Sequence, residues 1–209
     1  MESGKGGEPP QERALGARAS ETRDRLLEAA EEVFGRLGFH DASIVEITQK
    51  AQVGLGTFYR YFDSKVGAFR DLVRTRRDEL RQAAKDAAAA HTTQRDMLRA
   101  AFGAFFAGIA EHRGAFRLIR EAEFVDRALV LELYEFPAQD FREGVEAAMA
   151  AGALPDGDAE MLAWCASGMA EFVALRWIVW GEGGLSDTGL NSFVDAMLRL
   201  VGSPETTSS

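Results

Sequence analysis

Hydroxyl and basic side chains alternate with phenylalanines in the run LGTFYRYFDSK, residues 55–65. Phe58 and Phe62 are one helical turn apart and predict a buried anchor. The other faces of such a helix carry Leu55, Gly56, Thr57, Tyr59, Arg60 and Tyr61. Hydroxyl groups suit DNA phosphates, arginine suits the major-groove edge of guanine, and a glycine lets the backbone approach closely. The segment therefore predicts a short helix that presents these residues to duplex DNA.

Two short helices and a turn must position this segment. Ser43 and Glu46 have the spacing of a capping box, which predicts that the first short helix begins there. Residues 52–54 form a tight turn that contains Gly54, and the second short helix follows. This arrangement is typical of a helix-turn-helix. Ser43 is first of all a cap, and a phosphate contact is its second predicted role.

Longer helices flank the pair. The first begins near residues 20–22 and ends at Gly38, in the usual C-terminal role of glycine. Residues 63–64 begin a long helix that runs to about Ala90. Lys65 lies in its first turn, where the ammonium group and the helix dipole both favour a phosphate. We interpret the arginines that follow as solvating this helix, with Arg74, Arg77 and Arg81 on one face where ion pairs to another helix can form.

The whole run TRDRLLEAAEEVFGRLGFHDASIVEITQKAQVGLGTFYRYFDSKVGAFRDLV, residues 22–73, resembles the DNA-binding domain of the TetR (tetracycline repressor-like) family. The resemblance implies phosphate contacts from Ser43, Thr57, Tyr59, Tyr61 and Lys65. It implies that Leu55, Gly56 and Arg60 lie near base edges. The chain departs from the family pattern at Gly54, where a Ser or Thr cap is usual, and at Val66, where Glu is common. Neither departure removes a donor that faces the groove.

The charge distribution permits DNA binding only in the first third of the chain. The formal net charge is −9. Residues 20–85 contain 12 Lys/Arg and 11 Asp/Glu, a net of +1, whereas residues 86–209 contain 9 and 19, a net of −10. The first third can therefore approach phosphate without strong repulsion.

The remaining sequence predicts helices near 93–112, 113–122, 127–151, 158–181 and 188–201, so we expect an all-α fold of about nine helices. The predicted domains are a flexible tail at 1–19, the three-helix DNA-binding domain at 20–64, a helical ligand-binding and dimerisation domain at 65–203, and a tail at 204–209. The apolar stripes of the last two helices exceed what one small domain needs. We expect these helices to form a homodimer across a twofold axis.

Bulky apolar residues in the C-terminal part predict an effector cavity. Any one of them is as compatible with plain core packing. The expected lining residues are Phe102, Phe105, Phe106, Ile109, Phe116, Arg120, Phe124, Trp164, Met169, Phe172, Arg176 and Trp177. The arginines are candidates for binding a carboxylate or phosphate. The stretch FRLIREAEFV, residues 116–125, is similar to a segment of TetR-like regulators that sense acyl-CoA thioesters, which implies an acyl-CoA as one candidate effector.

Several classes of site are not predicted. His40, His91 and His112 lack metal-ligand spacing, and no motif for a catalytic residue or a cofactor is found. The apolar stretch from Met161 to Trp180 contains Glu171 and Arg176, so we interpret it as a helix of a cytoplasmic protein rather than a membrane span.

Together these patterns predict a repressor that binds a palindromic operator as a dimer and is released by a small, largely apolar effector. Two alternatives remain open. One is a DNA-binding regulator without an effector. The other is an α-helical enzyme that uses the aromatic cavity.

Overall fold

The computed structural model describes residues 10–200 apart from 151, 153, 155 and 182. For some of these residues it describes the backbone but not the side chain, namely 10–17, 120, 121, 123, 136, 137 and 148. The all-α prediction is confirmed for the described residues, which form nine helices. These are α1 (Pro10–Asp41), α2 (Ile44–Lys50), α3 (Leu55–Tyr61), α4 (Lys65–Ala89), α5 (Gln94–Glu111), α6 (Arg113–Val125), α7 (Arg127–Ala150), α8 (Ala159–Val173, continued by a π-helical segment Ala174–Val179) and α9 (Asp187–Leu200).

The chain divides into two compact units, Met1–Leu72 and Val73–Ser209, called the first and second units below. Helix α4 begins in the first unit and continues into the second. The division therefore falls inside a continuous helix, about two turns after residue 64, where the sequence analysis places the end of the DNA-binding domain.

Helix α1 begins at Pro10, about ten residues before the predicted start. Proline suits the first turn of a helix because its missing N–H would have no partner there. Residues 10–19, expected to belong to a flexible tail, are therefore helical, while 1–9 and 201–209 lie outside the described residues. Gly38 interrupts the helix near its end with φ 76° and ψ 166°, a left-handed conformation that glycine adopts at low cost.

Aromatic side chains form the core of the first unit. Phe34 and Phe39 both pack on Phe69, with ring centroids 5.7 and 5.1 Å apart. Phe34 and Phe69 are fully buried, as is Leu72. Helix α4 begins at a cap in which the Ser64 hydroxyl oxygen accepts a hydrogen bond from the Gly67 N–H at 3.0 Å. The first turns of α4 thus complete the core of this unit.

The core of the second unit is built where α5, α9 and the π-helical segment meet. Phe102 and Phe106 of α5 pack edge-on against Phe193 of α9, with ring centroids 4.7 and 5.3 Å apart. Val194 and Met197 continue this buried stripe. Three residues of the apolar stripe of α9, Phe193, Val194 and Met197, are thus buried within the chain, because α9 packs on α5. The predicted dimer contact of α9 stays a prediction, and these three residues do not contribute to it.

Helix α8 buries small residues and exposes large ones. Its inner face is formed by Ala163, Ala166 and Ala170, and Ala174 of the π-helical segment follows. Its other face exposes Met161, Trp164, Phe172, Trp177 and Trp180. Residues 159–179 are long and apolar enough to cross a membrane by length and composition, and 39% of the most apolar window is buried inside the protein. The remaining apolar side chains of α8 therefore form an exposed surface.

Candidate nucleic-acid interface and regulatory cavity

The predicted capping box at the start of α2 is confirmed. Ser43 Oγ accepts from the Glu46 N–H at 3.2 Å, and Glu46 Oε2 accepts from the Ser43 N–H at 3.0 Å. The Ser43 hydroxyl also donates to Glu46 Oε2 at 2.8 Å. Its proton is therefore engaged, and the cap is the role that the structure describes for Ser43.

The turn between α2 and α3 is closed by backbone hydrogen bonds. Gln52 has a positive φ of 55°, and the Val53 N–H donates to the Thr48 carbonyl at 3.0 Å. Gly54 is the N-cap of α3 and supplies no side-chain hydrogen bond. A Cβ on Gly56 would meet no atom within 4 Å, so packing within the chain does not require glycine there. The missing side chain instead leaves the backbone of α3 open to close approach from outside.

Helix α3 has the predicted division into a buried and an exposed face. Phe58 is fully buried, and Phe62, the residue after the helix, is 3% exposed, with their rings 5.3 Å apart. Leu55 and Tyr59 are 48% and 54% exposed. The exposed or partly exposed face holds Leu55, Gly56, Thr57, Tyr59, Arg60 and Tyr61. The two phenylalanines therefore hold the helix while its remaining side chains point outward.

Arg60 is the cation on this face. It is exposed, and within the described part of the chain no hydrogen bond or ion pair engages its guanidinium group. Two other exposed cations of the first unit are paired: Lys50 Nζ lies 2.6 Å from Glu32, and Arg36 lies 3.8 Å from Glu46. Arg60 therefore keeps all of its donors available for an external acceptor.

Lys65 does not have the free ammonium group that the sequence prediction requires. Its Nζ donates to the carbonyl oxygens of Phe39, His40 and Ala42 at 2.7, 3.1 and 2.8 Å. An ammonium group has three donors, so all of them are used. The side chain also lies over the Phe39 ring, with Nζ 4.6 Å from the centroid. Lys65 therefore ties the segment after Gly38 to the start of α4, and its predicted phosphate contact stays a prediction.

A cavity of about 340 Å³ lies in the second unit. Helices α4, α5, α6, α7 and α8 contribute its walls, which are mainly apolar. Four of the residues expected to line an effector cavity lie on it: Phe102, Phe105, Ile109 and Phe116. Its volume is within the range of small-molecule sites.

The other expected lining residues whose side chains are described lie elsewhere. Phe106 is buried against Phe193, and Met169 packs on the same core. Four are exposed apolar residues, with Phe124 the most exposed at 82%: Phe124, Trp164, Phe172 and Trp177. Arg176 is exposed and lies over the Trp177 ring, and the side chain of Arg120 lies outside the described residues. The aromatic residues of α8 face outward because the alanine face of this helix is the one that packs inward.

Ion pairs join α4 to α7, and some of their members line the cavity. Arg74 donates to Glu132 from Nε and Nη2 at 2.9 and 2.5 Å, and Arg77 Nη1 donates to the same carboxylate at 3.1 Å. Arg81 donates to Asp140 from Nε and Nη2, each at 2.5 Å. The hydrogen bonds from Arg74 hold the pKa of Glu132 below its usual range, and those from Arg81 do the same for the pKa of Asp140. The predicted ion pairs of this arginine face are thus confirmed, and two of its members, Arg77 and Arg81, line the cavity.

A second polar group lies on the α7–α8 side of the cavity. The Tyr134 hydroxyl donates to Glu171 Oε1 at 2.7 Å, and Ser167 lines the same cavity. In the sequence, Glu171 stands out only as a charge inside an apolar stretch. Its partner could not be found from spacing, because Tyr134 is 37 residues earlier in the chain.

Sequence comparisons place the first unit among bacterial regulators. Residues 26–72 match the family model of bacterial regulatory proteins of the tetR family. The chain is 36% identical over 105 residues to the HTH-type transcriptional activator FasR of Mycolicibacterium smegmatis, covering 50% of this chain and 48% of FasR. It is 47% identical over 53 residues to the uncharacterized HTH-type transcriptional regulator YdgC of Bacillus subtilis, covering 25% and 27%. The aligned region thus spans half or less of the length of these relatives.

Solved structures share the fold over both units. A TetR-like transcriptional regulator from Rhodococcus sp. RHA1 superposes with a TM-score of 0.66 at 23% identity, covering 87% of this chain and 97% of that one. The regulator FadR from Bacillus subtilis in complex with stearoyl-CoA superposes with a TM-score of 0.69 at 18% identity, covering 86% and 97%. These likenesses concern the fold, and the family model identifies the unit that carries the helix-turn-helix. Residues 26–72, which contain the helix-turn-helix, are therefore the part of the chain that is similar to the tetR family of bacterial regulatory proteins.

Proposed function

We propose that this protein regulates transcription by binding duplex DNA through α3. The observation that carries the proposal is the division of α3 into a buried phenylalanine anchor and an outward face with the unpaired Arg60. A helix of seven residues is marginal alone, so Phe58 must fix it before it can enter a groove. Arg60 is suited to a guanine, and Thr57, Tyr59 and Tyr61 are suited to phosphates. Ser43 and the backbone around Gly56 would flank them.

The protein acts as a homodimer in this proposal. Helix α8 exposes the large apolar side chains of Met161, Trp164 and Phe172, and Trp180 after it is exposed as well. Exposed apolar side chains in such number are typical of protein interfaces. A second copy of the chain would cover this surface across a twofold axis, with α9 beside it. A symmetric dimer binds a palindromic operator whose half-sites are about one helical turn or a little more apart.

A small, largely apolar effector would enter the cavity of the second unit and release the DNA. Helix α4 lines the cavity and begins at Lys65 in the first unit, so it is the element that could transmit a change. The effector must bind the released state better than the DNA-bound state, or it shifts nothing. FadR from Bacillus subtilis, which shares the fold, has been solved with stearoyl-CoA, which supports an acyl-CoA as a candidate effector.

The direction of regulation has two candidates. We favour repression, in which the bound dimer blocks transcription and the effector relieves it. Activation is the second candidate, because FasR, 36% identical over half of this chain, is a transcriptional activator. The protein would work in the cytoplasm, where bacterial DNA is found. Regulation without an effector remains the alternative within this class.

Selection of bound DNA from a random duplex pool tests the proposal. We expect enrichment of a palindrome whose binding weakens with salt and is lost when the effector is added. An enriched sequence without twofold symmetry would contradict the dimeric mode, and no enrichment would contradict DNA binding itself. A palindrome whose binding no candidate effector weakens would favour the regulator without an effector.

A further inference from the structure

The ion pairs between α4 and α7 form a regular strip, and Arg77, Arg81, Lys85 and Asp140 of this strip line the cavity. The cations Arg74, Arg77, Arg81 and Lys85 follow the spacing i, i+3, i+7 and i+11 on one face of α4. The carboxylates Glu132 and Asp140 are eight residues apart on α7. The first two cations hold Glu132 and the last two hold Asp140, so the two helices run in the same direction here.

The Asp140 end of this strip keeps unused donors. Arg81 uses Nε and Nη2 for Asp140, which leaves Nη1, and Lys85 makes only a 3.5 Å contact to the same carboxylate. Within the described residues no other hydrogen bond or ion pair engages either group. Their side chains are 41% and 52% exposed, so a molecule that enters the cavity can reach them.

The charges around the cavity favour an anion over a cation. The cavity wall includes four cations, Arg76, Arg77, Arg81 and Lys85, and two carboxylates. Arg76 and Arg77 are already paired with carboxylates outside the wall, so the donors that matter here are those of Arg81 and Lys85. Both carboxylates are engaged, Asp140 by the arginine and lysine of α4 and Glu171 by the Tyr134 hydroxyl. A cationic ligand would find no carboxylate without a partner, whereas an anion would find Lys85 and one nitrogen of Arg81.

The same charges set the direction of the ligand. Tyr134 and Asp140 are six residues apart on α7, which is about 9 Å along the helix axis. The Glu171 carboxylate therefore repels an anionic head group from the Tyr134 side and favours its placement near Lys85. Between the two ends the wall is apolar and includes Phe102, Phe105 and Phe141.

We propose that the cavity takes an amphipathic anion whose head group binds Arg81 and Lys85 in competition with Asp140, while its hydrocarbon part lies against the phenylalanines of α5. This inference rests on the proposed function, because it names the chemistry of the effector. A methylene group takes roughly the 30 Å³ of a liquid water molecule, so the cavity holds on the order of ten carbon atoms. Asp140 is then a specificity-determining residue, since it sets how strongly an anion must bind to take its place.

Titration calorimetry of the full-length protein without DNA tests this, with decyl phosphate, decanoate and 1-decanol as probes below their aggregation limits. We expect decyl phosphate to bind most tightly and 1-decanol least. The decanoate-to-decanol ratio should be at least about tenfold, because a hydrogen bond between charged groups changes an equilibrium by that order. Lys85→Gln should remove most of this ratio without changing the affinity for 1-decanol.

Two further variants separate a binding role from a loss of folding. Asp140→Asn should tighten decyl phosphate by about fivefold or more, because the competing carboxylate is gone. Arg95→Gln is the matched control, because Arg95 pairs with Asp195 in an ion pair between helices whose members do not line the cavity. It should leave all three affinities unchanged.

Equal binding of decanoate and 1-decanol, no binding of any probe, or an Asp140→Asn protein with unchanged or weaker anion affinity would each overturn the inference. The readout is independent of DNA. Probes that bind as expected but do not release operator DNA would therefore contradict the proposed effector response and leave the inference intact. If other ligands released operator DNA and none of these probes bound, the inference would be contradicted and the proposed effector response would stand.

Discussion

Replacing Lys65 with methionine should destabilise the first unit rather than weaken a DNA contact. The substitution keeps an apolar stem but removes three hydrogen bonds from Nζ to backbone carbonyls. A hydrogen bond to a charged group contributes about 1.5–3 kcal/mol, but these three share one partly exposed ammonium group and are not additive. We expect a loss of about 2–4 kcal/mol in the free energy of unfolding, a large part of the stability of a small domain.

The assay can observe the two units separately. Trp164, Trp177 and Trp180 are the three tryptophans of the chain and all lie in the second unit. Urea unfolding followed by tryptophan fluorescence therefore reports the second unit, while hydrogen exchange of the α2–α3 amides reports the first. Lys65→Met should speed exchange in α2 and α3 and leave the fluorescence midpoint in place.

Lys50→Met is the matched control. Lys50 pairs with Glu32 at 2.6 Å, but both side chains are more than half exposed, so the pair should contribute less than about 1 kcal/mol. A different result for Lys65→Met would refute this reasoning: the exchange rates stay at the wild-type values, but the DNA affinity falls. The slope of the logarithm of the DNA-binding constant against the logarithm of the salt concentration would also become about one unit shallower. That result would make Lys65 a phosphate ligand.

Three further predictions concern other parts of the molecule. Ser43→Ala should lower the unfolding free energy of the first unit by about 1 kcal/mol, measured by exchange, because α2 loses its cap; unchanged exchange would contradict the cap. The pKa values of Glu132 and Asp140 are lowered, so their ion pairs stabilise the second unit above the usual carboxyl pKa and this stability is lost as the pH falls through the lowered values. In urea titrations from pH 7 to pH 3, the free energy of unfolding of the Glu132→Gln/Asp140→Asn protein should decline less than that of the wild-type protein. An identical decline in both proteins would contradict this role of the ion pairs. Phe172→Glu should yield monomers in analytical ultracentrifugation, whereas Phe124→Glu, also at an exposed phenylalanine, should not; a dimeric Phe172→Glu protein would place the interface elsewhere.

Local patterns were enough to predict the helix-turn-helix. The Ser43–Glu46 spacing fixes the start of α2, and the interval between Phe58 and Phe62 fixes the inner face of α3. Both signals act over three or four residues, where side-chain geometry depends on the helix itself. Hence α3 and its outward face could be predicted without tertiary information.

Positions that depend on tertiary packing could not be predicted in this way. The carbonyls that hold the Lys65 ammonium belong to Phe39, His40 and Ala42, more than 20 residues earlier, and their approach depends on the bend at Gly38. Helix α8 is apolar on both faces, so its sequence does not show which face packs inward. The small alanines allow close packing and leave Phe172 and the tryptophans outside. Trp164, Phe172 and Trp177, which were assigned to the cavity from their size, therefore lie on the outer face.

The dependence of DNA affinity on salt, measured for the wild-type protein and for Arg60→Gln on a selected palindrome, tests the central claim most directly. If the outward face of α3 enters a groove, the logarithm of the affinity of the wild-type protein should fall linearly with the logarithm of the salt concentration. The variant should lose about 1–3 kcal/mol on that palindrome and tolerate substitutions at one base pair of each half-site. A wild-type protein with no salt-sensitive binding to any duplex, or an Arg60→Gln protein with unchanged affinity and sequence preference, would contradict the claim.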